Sequence, residues 1–212
     1  MDTPGDGRAG RHDPRSRRTE RALRQALVDL ARENGLDAVT ASALAHRAGI
    51  GRATFYRHYD SVPAFVESLR AKLIAELRDA FRALRLDTGM KAGTYEALNS
   101  RLNAVLLVAA RDATLFRLLW EGGTGTDFRD RFRAEMAAVF ADDLRWLGAR
   151  IDGAYCPPEY MTTFTVYAIT GVIGAWLAKA RREPLEDVAF YLLALVTNGN
   201  DVLTVEQPAE PR

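Results

Sequence analysis

The sequence has one cysteine, Cys156, in 212 residues, so no disulfide framework can form within the chain and a reducing compartment suits it. Histidine is nearly as scarce. His12, His46 and His58 are the only three, so no residue beyond position 58 can serve as an imidazole base, metal ligand or triad member. No run of 18 apolar residues occurs, and the first 20 residues are polar and Arg-rich instead of carrying an apolar signal core. These absences predict a cytoplasmic protein with no membrane partner. Strand-like alternation and internal repeats are missing too, which leaves an all-α fold.

Charge of one sign is absent in bulk, since the net charge is +1, but it is unevenly spread. Residues 1–60 hold 11 basic and 8 acidic side chains, whereas the rest hold 18 and 20. Arg47, Arg52 and Arg57 follow one another with no acid between them. A polyanionic partner would therefore meet the amino-terminal part and not the molecule as a whole. With 48% hydrophobic residues, the chain can bury one large core, or a small and a medium one.

Residues 1–16 and 205–212 mix Pro, Gly and charge without period and are expected to be disordered arms, the first of them contributing Arg8, Arg11 and Arg15. Between them the spacing is helical throughout. Leu23, Ala26, Leu27, Leu30 and Ala31 share one face of a helix near 17–34, which Asn34-Gly35 can end. Thr40 can cap a short second helix that turns Leu44, Ala45 and Ala48 inward, and Gly49-Ile50-Gly51 makes a tight turn. A third short helix covers Arg52 to His58. Ser61 can cap a long fourth helix with Phe65, Leu69, Leu73, Leu77 and Phe81 every four residues, broken at Asp87-Thr88-Gly89. Further helices are expected at about 92–110, 113–121, 126–151, 159–181 and 185–200, with connections at Glu121 to Gly125 and Ile151 to Pro158.

A short helix, a tight turn and a second short helix can lay the latter in a DNA major groove while the former braces it. The outer face of residues 52–58 then needs groups that meet phosphates and base edges. Arg52, Thr54, Tyr56, Arg57 and His58 are such groups, while Phe55 and Tyr59 point inward. The alternative is a solvated turn above an aromatic core stripe.

The segment VTASALAHRAGIGRATFYRHYDSVPAF resembles the signature of the TetR family of bacterial transcriptional regulators, over about residues 17–66. That resemblance implies a three-helix helix-turn-helix domain, here 17–60, followed by a helical-bundle effector-binding and dimerisation domain, here 61–204. It implies that Thr40 caps the second helix and touches phosphate, that Arg52 and Thr54 reach the groove, that Tyr56 meets backbone phosphate and that His58 lies near the DNA. Ala53 and Arg57 complete the DNA-facing set. Two positions depart from the pattern: Gly51 stands where many members have Ser or Thr, and Val62 where many have Lys. A double-stranded operator, usually repressed, and a homodimer are the partners so implied, with no cofactor and no enzymatic activity.

A dimer is needed because one short recognition helix reads few base pairs. Gly171, Gly174, Ala175 and Ala178 would let a symmetry-related helix approach, with Ile173, Trp176 and Leu177 buried around it and Leu192 and Leu195 on the next helix adding to the surface. Burial of both helices within a monomer is the alternative. The Gly-x-x-Gly-x-Trp-Leu run also resembles one carboxy-terminal class of the family. A pocket for a small apolar or amphipathic effector would draw on Leu102, Leu106, Phe116, Leu119, Trp120, Phe128, Phe132, Met136, Phe164 and Tyr167, the same residue types that would otherwise be plain core. Some members with that carboxy-terminal class are thought to answer to protein partners, so a co-regulator or activator remains the second reading. A helical enzyme with a vestigial DNA-binding domain is the third, and the missing histidines count against it. The EGGTGTD segment lacks the Gly-Lys-Ser/Thr ending of a phosphate loop, Asp142-Asp143 has no third carboxylate, and Cys156 has no basic neighbour, so none of these forms a site.

Overall fold

Local capping chemistry sets the helix ends in the computed structural model, which describes residues 14–83, 95–121, 127–147, 157–179 and 182–198. Helix α1, Pro14–Asn34, starts on a proline, whose missing N–H costs nothing in a first turn. The arm expected to be disordered to residue 16 therefore gives way to helix three residues sooner. Gly35 ends α1 at φ 85°, and its N–H donates to the Ala31 carbonyl at 2.9 Å. A single 3-10 turn, Leu36–Ala38, leads to Thr40, whose Oγ1 accepts from the Ala43 N–H at 3.2 Å and so caps α2, Ala41–Arg47.

The turn after α2 has a defined construction. Gly49, at φ 67°, donates to the His46 carbonyl at 3.1 Å, and Ile50 donates to the Ala45 carbonyl at 3.0 Å. That pair of bonds is a Schellman motif, which satisfies two orphan carbonyls and requires a left-handed residue where the glycine stands. Helix α3, Arg52–His58, follows with Gly51 as an N-cap that makes no side-chain bond. Ser61 Oγ then accepts from the Ala64 N–H at 3.2 Å to open α4, Val62–Ala83. The remaining described helices are α5, Tyr95–Arg111; α6, Ala113–Glu121; α7, Asp127–Leu147; α8, Pro158–Ala178; and α9, Leu185–Asn198. The fold is all-α, with no strand among the described residues. The expected break at Asp87 to Gly89, the loop Gly122 to Gly125, most of the Ile151 to Pro158 connection with Cys156, and the 205–212 tail lie outside the described residues.

The chain divides into two units, 1–68 and 69–212, so the division falls inside α4 and not ahead of it at 60 and 61. The first turns of α4 belong to the amino-terminal core. Phe65 packs its ring on Tyr59 at 4.6 Å and meets Phe55 edge-on at 6.4 Å. Leu23 and Leu27 of α1, Leu44 of α2, and Phe55 and Phe65 are fully buried around them. Each such side chain stabilises the unit by about 1.5–3 kcal/mol through apolar burial.

In the second unit, α5 packs on α9, and α7 and α6 pack on α8. Leu102, Leu106, Phe116, Leu119, Phe128, Phe132, Ile173, Leu177 and Leu192 form its sealed interior. Trp120 stacks on Phe116 at 5.5 Å and meets Phe128 and Phe132 edge-on at 6.2 and 5.9 Å. Residues 159–178 have a mean hydropathy of 1.4, enough by length and composition to cross a bilayer. Their side chains Val166, Ile169, Ile173, Trp176 and Leu177 are instead buried within the unit.

Candidate nucleic-acid interface

Every residue expected to face DNA lies outside the amino-terminal core. Thr40, Arg52, Ala53, Tyr56, Arg57 and His58 are exposed and Thr54 is half-buried. The cause is the helical period of α3: Phe55 is fully buried and anchors the helix, Tyr59 packs on it at 6.0 Å, and positions 52, 53, 56 and 57 are left outward. Arginine, threonine, tyrosine and histidine on one short helix supply cationic and hydroxyl donors for phosphate oxygens and groove-edge acceptors. Thr40 Oγ1 is occupied as an acceptor by its cap bond, and its O–H can still donate outward.

Sequence reasoning grouped Arg47 with Arg52 and Arg57 because no acid lies between them, but it missed the acid that pairs with Arg47. Glu33, in the last turn of α1, accepts from both Arg47 terminal nitrogens at 2.8 Å, a bidentate fork joining the ends of α1 and α2. The hydrogen bond from Arg47 holds the Glu33 carboxyl below its ordinary pKa, and Glu33 in turn raises that of the guanidinium. Arg47 is thus a brace for the motif. A 14-residue separation hides such a pair from any local pattern.

The expected effector residues do not all line one cavity. A cavity of about 10 Å³, lined by Phe81, Leu102, Val105, Phe132, Met136, Phe140, Thr165, Val166, Ile169 and Thr170, includes three of them. Leu106, Phe116, Leu119, Trp120 and Phe128 are buried but do not line it. Phe164 and Tyr167 need correction. They are 58% and 56% exposed, because on α8 the inward positions are Thr165, Val166 and Ile169. Arg101 is buried beside this region with its guanidinium 5.0 Å from the Phe81 ring centre. Sequence reasoning passed over Thr165 and Thr170 because their hydroxyls obscure a buried position.

The small-residue surface also divides. Gly171, Ala175, Ala178 and Leu195 are exposed, and Tyr160, Phe164, Tyr167, Phe190 and Tyr191 lie exposed on the same two helices. Gly174 instead faces the Trp120 indole, where a Cβ would come within 3.1 Å of Nε1. Leu192, Ile173, Trp176 and Leu177 are buried inside their own chain, so they offer a second copy no free surface. Arg133 connects the cavity wall with the exposed face: its Nε donates to Thr170 Oγ1 at 3.3 Å, and its guanidinium lies 4.5 Å from the Tyr167 ring centre.

An amino-terminal helix-turn-helix with a polar outer face, continued by a helical bundle, defines a DNA-binding regulator of the two-part, all-α class. Residues 23–68 match the model for bacterial regulatory proteins of the tetR family. Residues 23–68 therefore carry the DNA-binding domain of that family, and the likeness to solved structures extends the shared fold over the rest of the chain. The fatty acid degradation regulator FadR from Bacillus halodurans is similar in structure, with TM-score 0.69 and 16% identity over 85% of this chain and 95% of that one. A TetR-like regulator from a Rhodococcus species gives 0.65 and 17%, covering 86% and 96%. The TetR-family regulator PfmR from Thermus thermophilus gives 0.60 and 19%, covering 84% and 98%. No curated protein matches the sequence.

Proposed function

We propose that this protein is a cytoplasmic repressor that binds a pseudo-palindromic operator as a homodimer and is released by a small apolar or amphipathic effector. The observation that carries this reading is the outer face of α3, where Arg52, Ala53, Tyr56, Arg57 and His58 stand exposed over a fully buried Phe55. One such face reads a few base pairs. Two, set about 34–36 Å apart by symmetry, enter successive major grooves on one side of the duplex.

The exposed Tyr160, Phe164, Tyr167, Gly171, Ala175 and Ala178 of α8, with Phe190, Tyr191 and Leu195 of α9, support a second copy as the occupant of that face. Aromatic anchors beside small residues allow close isologous helix packing. An effector that prefers a dimer of different spacing would release DNA by shifting that population. The cavity lining favours an aliphatic segment, since its only polar side chains are Thr165 and Thr170. FadR, whose fold is shared, regulates fatty acid degradation in its own organism.

Selection of bound DNA from a random pool, with sedimentation of the free protein, tests the reading. Inverted repeats and a dimer are expected; a single half-site or a monomer at micromolar concentration would refute it. One observation favours a second reading, a co-regulator or activator controlled by a protein partner: the cavity volume of about 10 Å³ is room for about one water. Titration with decanoate separates the two. Release of the operator with a raised melting temperature supports the effector, and no response at millimolar decanoate supports the partner.

A further inference from the structure

Three arginines belong to the helix-turn-helix, and the structure gives each a different situation. Arg47 is clamped to Glu33 by two 2.8 Å bonds. Arg57 stands exposed on α3. Arg52, the first residue of α3, has its guanidinium carbon 5.5 Å from the centre of the Tyr56 ring one turn further on. The Tyr56 ring meets Phe55 edge-on at 5.4 Å, and Phe55 is fully buried. A path of ring contacts therefore runs from the core of the domain to one guanidinium on its surface.

That path matters because arginine is long and rotamer-rich. A side chain already lying on an aromatic face gives up less freedom when it binds, and its planar fork arrives oriented. Tyr56 itself is 44% exposed, so its hydroxyl remains available while its ring supports Arg52. Gly51, the N-cap, has no side chain to compete for the guanidinium. Residues at the start of a recognition helix are the ones that meet base edges.

We propose that Tyr56 is a positioning residue that holds Arg52 to read one guanine in each operator half-site. The guanidinium would donate to O6 and N7 of that guanine in the major groove, a bidentate match that no other base pair offers at that edge. The Tyr56 hydroxyl is left for phosphate. This inference deepens the DNA-binding reading and rests on it.

The two parts of Tyr56 are separable by experiment. Sites are selected from a random pool with the parent, and binding of Tyr56→Phe, Tyr56→Leu, Arg52→Ala and Arg52→Lys is then measured on the selected site and on its single-base variants at one salt concentration. Tyr56→Phe keeps the ring and loses the hydroxyl, so affinity falls by a similar factor on every sequence. Tyr56→Leu loses the ring as well, and discrimination at one guanine per half-site, about tenfold or more in the parent, falls to a few-fold. Arg52→Ala abolishes discrimination at the same base, and Tyr56→Leu added to it removes no more. Arg52→Lys keeps the charge without the fork and loses the same preference, and Tyr56→Gln, a ringless helix former at a 44% exposed position, replaces Tyr56→Leu if that variant folds poorly. Full discrimination in a folded Tyr56→Leu, or loss at a different base from Arg52→Ala, overturns the positioning role while DNA binding stands. A parent that enriches no DNA overturns both.

Discussion

Replacing Gly174 by alanine sets two known effects against each other. Alanine in a helix interior is favoured over glycine by about 1 kcal/mol. Opposing this, the added methyl would meet Trp120 Nε1 at 3.1 Å, and Cε2 and Cζ2 at 3.6 and 3.7 Å. Carbon contacts are optimal at about 3.5–4.0 Å, so the indole must retreat by a few tenths of an ångström. Its neighbours resist this: Phe116 is stacked on it, Phe128 and Phe132 meet it edge-on, and it is 7% exposed. Overpacking of this kind costs about 1–3 kcal/mol, so Gly174→Ala should be net destabilising by about 0–2 kcal/mol. At about 2–4 °C per kcal/mol for a chain of this size, melting should fall by about 0–8 °C. Gly171→Ala is the control, because a Cβ there meets nothing within 4 Å in its own chain. At dilutions where the protein is monomeric it gains the same helix propensity unopposed and should melt about 2–4 °C above the parent. Circular dichroism melts of all three proteins, at several concentrations so that assembly is seen separately, decide the comparison. A Gly174→Ala protein that melts above Gly171→Ala would refute the tight seating of Trp120.

If the exposed face of α8 and α9 forms the proposed dimer, Phe164→Glu should convert it to monomer in sedimentation with little loss of monomer stability, since the side chain is 58% exposed and leaves the core intact; an unchanged dimer would place the interface elsewhere. Phe55→Ala empties a fully buried site and should cost the amino-terminal unit about 3–5 kcal/mol, read as a lower urea midpoint with loss of DNA binding. Glu33 has a folded-state pKa lowered by its bond from Arg47, so its contribution is present above the ordinary glutamate value of about 4.3 and is lost as pH falls through the lowered one. Urea midpoints of the parent and Glu33→Gln should therefore differ at neutral pH and converge in acid, and an equal gap at pH values of about 7 and 3 would contradict the clamp.

The amino-terminal unit was legible because its signals are local. Thr40 lies three residues before the N–H it caps, Gly49 stands where a left-handed residue is required, and Phe55 and Tyr59 repeat at a helical interval. Each can be read within one turn of chain. The Glu33–Arg47 fork cannot, because it depends on how two helices meet. The same reason explains the misplacement of Gly174 and Leu192. Periodicity says which residues share a side of a helix, but which side is covered by the chain itself depends on neighbours far away in sequence.

Helix α8 makes the difficulty concrete, since it is apolar on more than one side and its pattern selects none. Val166, Ile169 and Ile173 face inward, Gly174 receives the Trp120 indole, and Phe164, Tyr167, Gly171 and Ala175 face outward. An amphipathic helix would have had one answer. Thr170 shows what the arrangement permits: it lines the cavity, accepts from Arg133 Nε, and donates to the Tyr167 carbonyl at 3.1 Å. Arg133 in turn is paired with Asp130 at 3.0 Å and lies over the exposed Tyr167 ring. Thr170 and Arg133 thus join the cavity lining to the outward face through one hydrogen bond and one ring contact. A helix with a clean polar side would have declared its inward face in the pattern, whereas on α8 only the neighbours Trp120 and Arg133 decide which apolar side is covered.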